Sequence, residues 1–232
     1  MQLSEEEIRA RLIELGNMRL LPQTTVNYLF NMREVYGVFP AVIYDIGACV
    51  LHWTNEAINV WPEAKYYCFE AMPETAFLYN KPHIKGFFNG VLSSEDGKDV
   101  TFYQNTYHPG GNSYYKENVE VNPQAEQFFN DTHARHYKTH RLDSIVKQNN
   151  FKLPDLIKMD VQGAELDILK GAEMCLENAR HLILELQVVE YNKGAPLRHE
   201  VIDYLRTKNF FMVEGSPFTN AGPDGDYHFV KE

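Results

Sequence analysis

Lys158, Asp160 and Gln162 are the polar residues whose spacing most suggests chemistry. They lie in Leu156-Ile157-Lys158-Met159-Asp160-Val161-Gln162-Gly163-Ala164-Glu165. An apolar run breaks into a polar cluster, and helical spacing follows at Leu166, Leu169, Ala172 and Leu176. The pattern predicts a buried strand that delivers these side chains to its C-terminal end, the edge where open α/β sheets bind ligands. A strand covered on both faces rarely carries a lysine and an aspartate unless they are paired or used. Lys158 and Asp160 are two apart, so they share one side of the strand. Glu185 ends the next apolar run, Leu182–Gln187. If the two strands are neighbours, Asp160 and Glu185 converge. Carboxylates held close push one pKa up, which suits a general base or a hard cation such as Mg²⁺. We favour the base, or a hydrogen bond to substrate, over the metal. Lys158 belongs to the same catalytic group. Glu165 falls in the first turn of the following helix, where its charge also complements the helix dipole.

A second stretch points the same way. Val42-Ile43-Tyr44-Asp45-Ile46-Gly47-Ala48 reads as a strand entering a glycine turn. One βαβ unit later, at a spacing of about 25 residues, Tyr66-Tyr67-Cys68-Phe69-Glu70 reads as a strand ending in an acid. Gly47 allows close backbone approach, and Glu70 can accept both hydroxyls of a ribose. The turn is not G-x-G-x-x-G, so it offers no pyrophosphate cradle. A single glycine after an aspartate suits S-adenosylmethionine, which has no phosphates.

These blocks carry a resemblance. Asp45-Ile46-Gly47-Ala48, Phe69-Glu70, Leu142-Asp143, and Lys158-x-Asp160-x-Gln162-Gly163-x-Glu165 with Lys170-Gly171-Ala172 resemble the FkbM-type S-adenosylmethionine-dependent methyltransferases. The likeness runs from about Val42 to Glu185. It implies a Rossmann-like, doubly wound, mostly parallel α/β sheet of the class I methyltransferase type, with a C-terminal antiparallel hairpin. It also implies O-methylation of a sugar or glycoconjugate hydroxyl. Asp45 would anchor the charged methionine end of the cofactor, with backbone contacts from Gly47 and Ala48. Two departures stand out. The family's turn usually continues Asn-x-Gly, where this chain has Cys49 and Leu51, and Gln162 replaces a commoner Glu. Methylation of nitrogen or another small acceptor, and a non-catalytic binding module with an altered turn, are the rival readings.

Composition sets bounds. With 232 residues, 44% of them hydrophobic and 13% aromatic, the chain can build one domain with a sizeable core. A net charge of −10 argues against sequence-independent nucleic-acid binding and against docking on an anionic membrane. The scattered Cys49, Cys68 and Cys175 imply neither a zinc site nor a disulfide framework. The acidic start, Met1 to Glu7, is unlike a signal peptide, and no apolar run reaches membrane-spanning length. A cytoplasmic protein acting on a small-molecule or glycan acceptor is expected, as a monomer or homodimer.

The elements that must position these residues can be placed in turn. Residues 1–40 read as a helical cap on a domain at 41–232. The first helix starts at the capping box Ser4-x-x-Glu7, and the second runs from Thr25 with Val26, Leu29, Phe30 and Val35 inward. They act either as a lid or as cover for a sheet edge or dimer contact. Strands are expected at Ala41–Ile46, Lys65–Glu70, Ile84–Leu92, Asp99–Gln104, Leu156–Asp160 and Leu182–Gln187, with helices at Asn55–Trp61, Pro73–Asn80 and Leu197–Lys208. Phe210–Glu214 and Tyr227–Val230, with a turn at Gly222–Gly225, close the chain as a hairpin.

Ala71, Asn89, Gly90 and Val91 join the cofactor set, the last three bordering the adenine. The polar loop from Asn105 to about Thr132 is expected to border the acceptor site, with Asn112, Ser113 and Gln162 binding substrate. Tyr107, Tyr114, Tyr115 and Trp53 are candidates to stack on a sugar ring. On a helix, His133, His136 and His140 would share faces beside Asp131, but they read better as polar surface. His140 is the alternative base if Asp160 is not.

Overall fold

The computed structural model describes residues 3–18, 20–219 and 222–232, so Met1 and Gln2 of the acidic start lie outside it. Along the chain come α1 (Glu5–Asn17), α2 (Gln23–Glu34), β1 (Val42–Ile46), α3 (His52–Val60), β2 (Lys65–Glu70), β3 (Ile84–Asn89), β4 (Val91–Leu92), β5 (Asp99–Tyr103), α4 (Ala125–Phe128) and β6 (Ala134–His140). Then follow α5 (Leu142–Gln148), β7 (Leu156–Met159), α6 (Glu165–Lys170), α7 (Glu173–Asn178), β8 (His181–Gln187), α8 (Arg198–Arg206), β9 (Phe210–Met212) and β10 (Asp224–Lys231).

Seven strands make the main sheet in the order β3-β2-β1-β7-β8-β10-β9. All are parallel except β10, which runs antiparallel between β8 and β9. Strand order reverses between β1 and β7, so their C-terminal ends form the crevice where such sheets bind ligands. Both faces are covered. Tyr44, Ile46, Phe69, Ile157 and Met159 pack with Leu142, Leu169 and Leu205 of α5, α6 and α8. Ile43, Tyr66 and Cys68 pack on the other side with Leu29, Trp53 and Ala57 of α2 and α3. The expected doubly wound sheet with its C-terminal hairpin is what forms. Among the described residues, no helix is long and apolar enough to cross a membrane.

Several expectations need correction. The third strand is broken at Gly90: its N–H turns to the Glu70 carbonyl, and Val91–Leu92 leave to pair with β6 in a second, three-stranded sheet. A Cβ on Gly90 would press 2.6 Å from the Phe88 ring, which would have to shift to admit one. Pro73–Tyr79 is a 3₁₀ rather than an α-helix. His136 and His140 sit on β6, not a helix, and His133 on a 3₁₀ turn. On α2 the buried stripe is Thr25, Leu29 and Met32; Phe30 and Val35 face outward. β10 starts at Asp224 rather than Tyr227. The capping box at Ser4 and Glu7 forms, and α1 inserts Leu12 against Val50 and Met72.

Candidate active site

The C-terminal ends of β1, β2 and β7 meet in a tight construction. Gly47 adopts φ +77°, and a Cβ there would fall 1.8 Å from the Asp160 carbonyl oxygen. No residue but glycine fits between β1 and β7. Gly47 and Ala48 both donate their N–H to the Phe69 carbonyl, at 2.9 and 3.1 Å. The turn's first amides are therefore used to tie β1 to β2. The turn continues with Cys49 at φ +46° and Leu51 at φ +70°. Non-glycine residues in this region are strained by about 1–3 kcal/mol each. The surroundings hold them: Tyr79 donates its hydroxyl to the Cys49 carbonyl at 2.8 Å, and Leu51 is fully buried. Asparagine tolerates the left-handed conformation better than cysteine. Cys49→Asn should raise stability by about 0.5–1 kcal/mol, read as a higher urea midpoint at an unchanged slope.

A cleft of about 610 Å³, including its open mouth, lies over these strand ends. Gly47, Glu70, Ala71, Gly90, Val91, Asn112, Ser113 and Asp160 of the expected residues line it. The apolar part comes from Phe69 of the Phe69-Glu70 block, from Leu92, which the sequence places with Val91 beside the adenine, and from Phe102, Val161 and Ile168, which the sequence did not single out. Glu70 is one of its two lining carboxylates. Its two carboxylate oxygens accept the N–H groups of Cys49 (2.8 Å) and Met72 (2.9 Å). Burial raises its pKa against the pull of these N–H groups. Each oxygen keeps a second lone pair, so the carboxylate can still accept from a ligand.

Other expected residues lie behind the cleft. Asp45 is fully buried, accepts the Thr54 hydroxyl, and pairs with Lys158 at 3.4 Å. Neither it, Ala48 nor Lys158 lines the cleft. Asn89 gives its amide to the Glu70 and Met72 carbonyls. His140 packs edge-on against Phe88 at 5.2 Å and lines neither this cleft nor the one described below. Asn112 and Ser113 do line the wall, but their polar atoms serve the chain: Asn112 accepts from Asn105 N, and Ser113 donates to the Gln162 carbonyl.

Asp160 and Glu185 do come together, because β7 and β8 are parallel neighbours. Gln162, at φ +53°, donates one amide nitrogen to both, at 3.0 and 2.7 Å. Burial works against charge on Asp160, but Lys158, at 3.5 Å, together with hydrogen bonds from Glu185 and Gln162 outweighs it and holds the carboxyl below its usual range. Burial and the Asp160 charge push Glu185 well up. These opposite shifts make Asp160 the more acidic member of the pair and Glu185 the one that takes up a proton first. Lys158 keeps its charge despite burial because Asp45 and Asp160 flank it. Among the described residues, no group of three or more His, Cys, Asp or Glu side chains is arranged to hold a metal.

Glu165 is buried behind this pair, and its carboxylate accepts Val161 N at 3.0 Å. Burial lifts its pKa from 4.5 to about 7. The folded state then binds this proton more tightly than the unfolded chain. Its stabilising contribution is complete below pH 4.5 and lost as pH rises through 7. Between pH 5 and 8, wild type should lose about 2 kcal/mol relative to Glu165→Gln. Urea unfolding of both proteins across that range measures it.

A second cleft, of about 1110 Å³ and open to solvent, adjoins the first. Cys49, Pro109 and Gly110 line both. Its walls come from the long loop (Tyr107, Glu117, Asn122, Phe129), from Leu15 and Leu20 near the N-terminal helices, and from Gln162 and Tyr191. Glu117, Asn122 and Tyr191 were not anticipated. They lie in loops without periodicity, where no sequence signal marks a carboxylate as buried.

A sheet in this order, with one antiparallel strand near its end and a ligand crevice over β1, β2 and β7, is that of a class I methyltransferase. The chain belongs to the FkbM methyltransferase family: the Methyltransferase FkbM domain matches residues 45–212, more than half of it. It is 26% identical over 201 residues to "2-O-methyltransferase NoeI" of Sinorhizobium fredii, covering 80% of this chain and 77% of that protein. It is 26% identical over 159 residues to "Methyltransferase 1" of Beauveria bassiana, covering 60% of this chain and 63% of that protein. The crystal structure of methyltransferase FkbM from Methylobacillus flagellatus shares the fold, with a TM-score of 0.50 at 13% identity. That match covers 87% of this chain and 47% of the other.

Proposed function

We propose that this protein transfers a methyl group from S-adenosylmethionine to a hydroxyl of a sugar or glycoconjugate. The observation that carries this reading is the pair of clefts joined at Cys49, Pro109 and Gly110. The first is lined by two carboxylates, Glu70 and Asp160, and, among the described residues, by no lysine or arginine. These acceptors would repel a pyrophosphate and suit a nucleoside carrying positive charge. When bound, S-adenosylmethionine supplies an activated methyl on a cationic sulfur. Glu70 would accept the ribose hydroxyls, and Val91, Leu92 and Phe102 would pack on the adenine. Asp160, ionised and one-third exposed, would face the positive end. Asp45 would act from behind by holding Lys158 in place.

The second cleft combines aromatic faces (Tyr107, Phe129) with hydrogen-bonding side chains (Glu117, Asn122, Gln124, Tyr191). Flat apolar rings beside polar groups suit a sugar, which has an apolar face and a rim of hydroxyls. The likeness to a relative named as a 2-O-methyltransferase supports transfer to oxygen. The non-catalytic reading is disfavoured by the turn itself, since Cys49 and Leu51 take up left-handed conformations without glycine. The test is incubation with S-adenosylmethionine and a panel of neutral methyl glycosides, with primary amines as the control. One added methyl group on a glycoside, seen by mass spectrometry, supports the proposal. Methylated amines with untouched glycosides would refute it.

A further inference from the structure

Glu117 is held as a functional carboxylate would be. Its backbone is fixed by a short antiparallel bridge to Asn192, with Asn118 N on the Tyr191 carbonyl (2.7 Å) and Lys193 N on the Lys116 carbonyl (2.8 Å). Its side chain is fixed by Asn122, which donates to Oε2 at 2.9 Å, and by the Tyr191 hydroxyl at 3.4 Å. Oε1 accepts no hydrogen bond from the described residues. It lies against Gly111, where a Cβ would come within 2.9 Å of it. Gly111 follows Pro109 and Gly110, the strip that lines both clefts. No cation pairs with this carboxylate among the described residues. One oxygen of this largely buried carboxylate is thus held by two donors, and the other stays free to accept from a ligand in the cleft.

Resting on the O-methylation reading above, we propose that Glu117 Oε1 binds the acceptor hydroxyl in the second cleft and takes its proton during transfer. The hydroxyl O–H bond breaks and its proton moves to Oε1. The electron pair stays on oxygen and becomes the new bond to the methyl carbon, while the methyl–sulfur bond of S-adenosylmethionine breaks with its electron pair going to sulfur, so that S-adenosylhomocysteine leaves. The proton then leaves Glu117 to solvent.

Basicity separates Glu117 from Asp160. Asp160 accepts from Gln162 and Lys158, and that lysine keeps it a weak base. Burial raises the Glu117 carboxyl against the pull of its Asn122 and Tyr191 hydrogen bonds, and no lysine or arginine among the described residues pairs with it. A base nearer neutrality takes a hydroxyl proton more readily. Glu117 thus fits the proton transfer, and Asp160 fits a positive charge.

Glu117→Gln keeps an oxygen to accept from Asn122 and Tyr191 while removing the basic atom. The experiment compares wild type with this variant on the methyl glycoside that wild type methylates best. It follows turnover against pH, together with glycoside binding to the donor-free proteins by saturation-transfer NMR. We expect the variant to bind S-adenosylmethionine like wild type, to bind the glycoside less tightly, and to lose about 100-fold or more in kcat. The wild-type rate should rise with pH as Glu117 ionises, and the variant should lack that rise. A second variant, Tyr191→Phe, removes one donor from Oε2. It should move the rise to higher pH and abolish neither binding nor turnover. Unchanged kcat with the pH rise intact in Glu117→Gln would overturn the assignment of Glu117 alone. If wild type binds S-adenosylmethionine but methylates no glycoside, the sugar reading fails and the role of Glu117 falls with it.

Discussion

Lys158→Met should destabilise the protein by about 3–5 kcal/mol, the range for removing one partner of a buried ion pair. Lys158 lies between Asp45, at 3.4 Å, and Asp160, at 3.5 Å. Asp45 has no exposed surface, and its other polar partner is the Thr54 hydroxyl. Methionine fills similar space, so packing survives while two carboxylates lose their cation. One of them cannot reach water. The loss should be greatest near neutral pH and shrink as acid protonates the carboxyls. Adding Asp45→Asn should restore part of it, because the stranded charge is then gone. Urea unfolding at pH 7 and pH 4 measures both effects. A variant as stable as wild type at neutral pH would show that the triad is not what holds the β1–β7 crevice.

Glu70→Ala has the largest expected effect on binding. The alternating face of β2 places Glu70 in the cleft while its oxygens tie down Cys49 N and Met72 N. If the same carboxylate accepts the ribose hydroxyls, its loss removes charge-assisted bonds and loosens the strained turn together. Affinity for S-adenosylhomocysteine should fall at least about 100-fold, equivalent to about 2.7 kcal/mol. Stability should also fall, by about 2 kcal/mol, because two buried N–H groups lose their acceptor. That second effect follows from contacts invisible in the sequence, where Glu70 reads as a ligand-binding residue only. Calorimetry and urea unfolding on one preparation separate the two. Unchanged affinity would remove Glu70 from the ribose.

The sequence makes much of this arrangement legible, for identifiable reasons. β1, β2, β7 and β8 are apolar runs covered on both faces, so they stand out from their polar ends. Gly47 is recognisable as a glycine after a strand that permits close approach, although what approaches it most closely is the Asp160 carbonyl at the end of the neighbouring β7. The convergence of Asp160 and Glu185 follows once β7 and β8 are taken as neighbours. β6 was missed because Ala134–His140 is polar and largely solvent-exposed in a three-stranded sheet, so it shows no apolar alternation. Asp45 and Lys158 show a different limit. Their positions at a ligand-binding edge are readable, but not that Asp45 is taken up by Thr54 and Lys158 behind the cleft. Glu117 is a third case. Its burial comes from pairing between two loops, 116–118 and 191–193, far apart in sequence.

The first cleft should receive S-adenosylmethionine, and calorimetric titration of the wild-type protein with S-adenosylmethionine and S-adenosylhomocysteine decides whether it does. One site per chain with micromolar affinity, on the order of −8 kcal/mol, is expected for both ligands. Failure of both to bind would mean that the cleft over β1, β2 and β7 is not a site for this cofactor.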